Sequence, residues 1–125
     1  MTENEICTRI LHHAFALHRT PGPGLLKPVY KRTLAYNLEQ SDLSVQTQLP
    51  VPLVYKEIKF EAGFRLDLLA ENKVIVRIKS IETLAPIHFA QTLIYLKLSG
   101  KRLALLFNFY CKYFKEGIYR VVNNL

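Results

Sequence analysis

The chain has 125 residues, half of them hydrophobic, which is the size and composition of a single domain over residues 1–125 with a real core. Charges are spread without long runs and no segment has linker composition, so disorder is expected only at the ends. No apolar stretch approaches the roughly 20 residues that span a bilayer, and polar Thr2 to Glu5 do not form a leader, so a soluble cytoplasmic protein with no membrane partner is expected. The net charge of +7 favours a polyanionic partner, DNA or RNA, although the basic residues are scattered along the chain.

Thr2 and Glu5 form a capping-box pattern, and Ile6, Ile10, Ala14 and Leu17 recur at helical spacing, predicting a first helix that ends near His18. Two prolines and two glycines make Thr20 to Gly24 a loop. Pro28 suits a first helical turn, and Leu26, Tyr30, Leu34 and Leu38 mark a second helix through Gln40. From Val45 the period changes to two, as in a strand. Pro50 and Pro52 put that strand at an edge, and Tyr55 to Ile58 turn the chain back.

Phe64 to Leu69 and Val74 to Lys79 read as strands joined by a tight turn at Glu71-Asn72-Lys73, with Arg77 and Lys79 on one face. Pro86 opens a third helix capped by Gly100, with Ile87, Leu93, Ile94 and Leu98 as its apolar contacts and His88, Gln91 and Tyr95 on one side. Leu103 to Phe109 is apolar on both faces, as in a central strand, and Gly117 to Val122 predicts one more short strand. The fold class is therefore α/β of the α+β type, a mixed central sheet flanked by helices.

Adjacent strands, one bearing Asp67 and the other a charged pair two residues apart, form the layout of a metal-dependent nuclease. There an Asp and a Glu hold Mg²⁺ while a Lys steadies water or phosphate. At this point the chain resembles the GxxExxY proteins, a branch of the PD-(D/E)XK nuclease superfamily. The resemblance rests on Pro21 to Leu26, Val29-Tyr30, Phe64 to Leu69, Val74 to Val76, Ile78-Lys79, Pro86 to Gln91, Tyr95-Leu96 and Leu106 to Phe109. It implies a PD-(D/E)XK nuclease-like core and catalytic roles at Asp67, Lys79, Gln91 and Tyr95. It also implies acids at two positions where this chain has Lys27 and Arg77.

Exchanging two acids for two bases shifts the local charge by about four units, which repels a divalent cation. The expected protein is a catalytically inactive nuclease fold with a degenerate metal site and no cofactor. It would bind nucleic acid through Lys27, Arg65, Arg77, Lys79 and His88. Equally, Arg77 could bridge Asp67 in an ion pair that replaces the metal's structural role, and the basic residues could be only a solvated face. The alternatives are an active nuclease using Mg²⁺ or Mn²⁺ with Glu82 or Glu61 as replacement ligands, and a protein-interaction or homo-oligomeric scaffold.

Among the remaining residues, Cys7 and Cys111 are expected as two buried thiols, because neither has zinc-ligand spacing. His12, His13 and His18 have no i, i+4 pair and are expected in surface or packing roles. Tyr110, Tyr113, Phe114 and Tyr119 with Lys112, Lys115 and Arg120 could stack bases and hold phosphates. The reading preferred from sequence is an edge-strand surface or an oligomer contact.

Overall fold

A computed structural model describes residues 1–125. Helices α1 (Glu3–Arg19) and α2 (Lys27–Gln40) precede strands β1 (Val45–Tyr55), β2 (Ile58–Ala70) and β3 (Val74–Lys79). Helix α3 (Pro86–Ser99), strand β4 (Leu103–Asn108), a 3₁₀ turn (Phe114–Gly117) and strand β5 (Ile118–Val122) complete the chain.

The capping box at Thr2 is formed, Glu5 N–H donating to the threonine hydroxyl while the Glu5 carboxylate receives Thr2 N–H. Gly100 ends α3 in the left-handed conformation, φ 72°, that a residue without Cβ adopts at no steric cost.

The five strands lie in the order β1-β2-β3-β4-β5. Only β3 and β4 run parallel, because α3 carries the chain back between them, and the other neighbours are antiparallel. The sheet is therefore mixed and flanked by helices, as the sequence predicts. β1 is an edge strand, where Pro50 and Pro52 cost no ladder hydrogen bond on the open side. β4 is buried at all six positions, the signature of a strand covered on both faces.

Alternation along the sheet sends Leu68, Val74, Val76, Ile78, Leu103, Leu105 and Phe107 against α1 and α2. On the other face Leu69, Ile75 and Ala104 meet Leu96 of α3. The larger core thus belongs to the α1–α2 side, and α3 closes a smaller one. This corrects the expected face of α3. Ile87, Ile94 and Leu98 are exposed, and only Thr92 and Leu96 are fully buried. Apolar residues surround α3 on nearly every side, so periodicity could not tell its inner stripe from its outer one.

Two further expectations are revised. β2 is longer than Phe64 to Leu69, because with β1 it runs on as an exposed hairpin arm to the turn between Tyr55 and Ile58. Cys111 is half-buried rather than buried, while Cys7 is buried.

Candidate functional site

Three pairs join β2 to β3, and the last is Leu68 with Val76. Beyond it the strands part. Leu66 and Leu68, two residues apart, pack on opposite faces of the sheet, so the strict alternation of β2 breaks at the residue between them, Asp67. Parting leaves backbone groups without ladder partners, and the Asp67 side chain supplies one: its Oδ2 accepts Ile78 N–H at 2.9 Å.

The second carboxylate oxygen is also taken. Lys27 Nζ lies 3.1 Å from Asp67 Oδ1, and the carboxylate side is only 13% exposed. Lys27 is the first residue of α2, where the helix dipole disfavours a cation by about 0.3–1 kcal/mol. Its neighbour Leu26 offers no side-chain cap, so the lysine does not serve the helix end; what offsets its placement is Asp67. The loop before it is pinned by Tyr30, whose hydroxyl donates to Gly22 O and accepts from Leu25 N–H, while Ser80 at the end of β3 donates to Leu25 O. Tyr30 and Ser80 thus pin Gly22 and Leu25 in the loop that leads to position 27.

Arg77 does not bridge Asp67. It points into α3, 6% exposed, where Nη1 donates to His88 O at 3.0 Å and Thr92 Oγ1 at 2.9 Å. The guanidinium lies 4.7 Å from the Tyr95 ring centroid, and that ring stacks on Phe64 at 4.1 Å. Burial lowers the Arg77 pKa from its ordinary value, with Tyr95 and Asp67 opposing. The expected phosphate contact through Arg77 is therefore corrected: the group is a buried clamp between β3 and α3. Tyr95 is packed between Phe64 and Arg77.

Lys79, on the same face of β3, is half-buried at the strand end. Burial, then Arg77 and Lys27, lower its pKa, with Asp67 opposing. His88 stands beside them. Its Nδ1 accepts Ala85 N–H at 2.9 Å, which makes it the cap of α3 and leaves the ring proton on Nε2. Burial, Lys79 and Arg77 push the imidazole pKa down. Gln91 is half-buried one turn after His88. Arg65 lies past the break in β2, exposed and opposite Pro50.

The structure thus gathers Lys27, Asp67, Arg77, Lys79 and His88 around one fork, with three Lys or Arg side chains about a single carboxylate. Asp67 is the one carboxylate of this set, and the Lys27 ammonium lies against its Oδ1. Glu61 is exposed on the hairpin arm, and Glu82 lines a separate cavity with Glu116 and Tyr119.

A family model of the PD-(D/E)XK nuclease superfamily matches residues 4–121. The chain belongs to the PD-(D/E)XK nuclease superfamily. No curated protein and no solved structure matches it. In this nuclease-superfamily chain the fork of β2 and β3 carries bases where the resemblance to GxxExxY proteins implied acids.

The aromatic and basic cluster near the C-terminus divides. Tyr110 and Tyr119 line the cavity with Glu82, and Arg120 bonds Asn4 Oδ1. Lys112, Tyr113, Phe114 and Lys115 instead meet the end of α1, a grouping that sequence distance concealed.

Two outcomes test this geometry. Arg77→Ala should lower stability by about 2–3 kcal/mol in urea unfolding, and Arg77→Lys should recover less than half of it, since an ammonium cannot reproduce the planar stack. A loss under about 0.5 kcal/mol would mean no clamp. In NMR titration His88 should show a pKa below the ordinary value of about 6.5, rising in Lys79→Ala. An unshifted value in the native chain would contradict the crowding of cations.

Proposed function

We propose that this chain is a GxxExxY-type member of the superfamily whose fork no longer cleaves nucleic acid and instead binds its backbone. The observation that carries the reading is the Lys27–Asp67 ion pair at 3.1 Å, which puts an ammonium against the carboxylate that a catalytic metal would need. The Gly24, Lys27 and Tyr30 pattern supports the branch, since it keeps the spacing of the motif with a base in place of the acid.

Lys27 is 39% exposed on its side chain and Lys79 is half-buried beside it, so both ammonium groups can reach a phosphate at the mouth of the fork. Arg77 shapes the site from beneath and adds positive potential without touching the ligand. His88, its Nε2–H free, can donate to a phosphate oxygen. Arg65 extends the positive surface along β2. Such contacts go to the backbone and carry no base information, so the binding would be insensitive to sequence.

Fluorescence anisotropy with short single- and double-stranded DNA and RNA tests the reading across a salt series. Binding should weaken with salt, and Lys27→Ala and Lys79→Ala should each reduce the slope of log affinity against log salt by about 0.7–0.9 per lost phosphate contact. Absence of binding to all probes at low salt would refute it.

A further inference from the structure

A second cationic feature lies away from the fork. The end of α1 and the segment after β4 enclose a cavity of about 380 Å³, within the range of small-molecule sites, roughly 300–1,000 Å³. Its floor is aromatic. Phe114 is buried, stacks on His18 at 5.1 Å between ring centroids, and receives the edge of Phe15 at 5.2 Å. Tyr113 stands at the rim, 55% exposed.

Arg19, Lys112 and Lys115 surround this floor and no Asp or Glu lines it. The one ion pair of the chain joins Lys27 to Asp67, so none of these three cations is in direct contact with a carboxylate. Lysines on a plain surface are solvated, but here the charges border flat apolar rings rather than open water.

His18 supplies the third element. It is 6% exposed and its Nε2 lies 2.7 Å from Cys111 O. A carbonyl oxygen only accepts, so Nε2 carries the proton and Nδ1 is left as an acceptor without a protein partner. No fully buried side-chain nitrogen in the chain lacks a partner, so Nδ1 is not sealed off, and His18 is among the residues that line the cavity.

Aromatic floor, cations and a recessed acceptor together fit a flat heterocycle bearing N–H groups and joined to an anion. Inorganic phosphate would leave the floor and Nδ1 unused, and an apolar aromatic would leave the cations unused. We propose that this cavity binds one unpaired nucleotide, with its base against the Phe15 and Tyr113 rings, a base N–H on His18 Nδ1, and its phosphate on Arg19, Lys112 and Lys115. The same unit can arrive as a free nucleotide or as an unstacked residue of a strand. Nothing in this site depends on Lys27 or Asp67.

Isothermal titration of the full chain with adenosine monophosphate, adenosine, inorganic phosphate and a short oligodeoxyadenylate distinguishes these cases. The nucleotide or the strand should bind at least about tenfold more tightly than adenosine or phosphate, and Arg19→Ala with Lys115→Ala should remove at least about tenfold of that affinity. Lys59→Ala, on the exposed hairpin arm, should leave nucleotide binding unchanged. Lys112→Ala serves as a second variant if the pair perturbs folding. Binding of the monophosphate identifies a free-nucleotide site, and strand binding that Arg19→Ala with Lys115→Ala weakens identifies a site for an unstacked residue. Phosphate binding as tightly as the nucleotide, no binding by either nucleotide form, or unchanged nucleotide affinity in these cavity variants would overturn the proposal.

Discussion

Asp67 stands where β2 and β3 separate, and its two oxygens are divided between two tasks. One takes Ile78 N–H, which the ladder has stopped serving, and the other takes the Lys27 ammonium. A buried N–H left unpaired costs about 1–3 kcal/mol, so an acceptor at this position stabilises the fork whatever else Asp67 does. Because Lys27 opens α2, the same side chain also ties the helical layer to the sheet. Remove the carboxylate and the fork keeps three mutually repelling cations with nothing between them.

That arrangement explains why Arg77 turns away. Its neighbours on the fork are already cationic, and burial beneath α3 offers it a carbonyl, a hydroxyl and an aromatic face instead of a second claim on Asp67. A buried guanidinium is tolerable only when its donors and its flat faces are engaged. The consequence is that the two bases at positions where the GxxExxY resemblance implies acids do different work. Lys27 occupies the carboxylate, whereas Arg77 fixes the helix that carries His88 and Gln91.

Much of this was legible in the sequence for physical reasons. Pro50 and Pro52 could only belong to an edge, Gly100 only to a left-handed cap, and Leu103 to Phe107 only to a strand buried on both faces. Alternation correctly put Arg77 and Lys79 on one face of β3. It could not say that Arg77 would be swallowed by α3 while Lys79 reached the rim, because period two fixes a side and not a depth. The inner face of α3 was hidden by apolar residues all around it. The ion partner of Asp67 was hidden because position 27 is brought there by a pinned loop, and the cavity at His18 because its other wall, Lys112 to Lys115, lies far along the chain beside Cys111, 93 residues from His18.

The central claim is that the Lys27 ammonium holds the position a divalent ion would need. It is tested most directly by isothermal titration of Mg²⁺ and Mn²⁺ into the native chain, Lys27→Glu, and Lys27→Glu with Arg77→Glu. The account predicts no saturable heat for the native chain and metal binding only once acids are introduced. Saturable binding by the native chain that disappears in Asp67→Asn would contradict it.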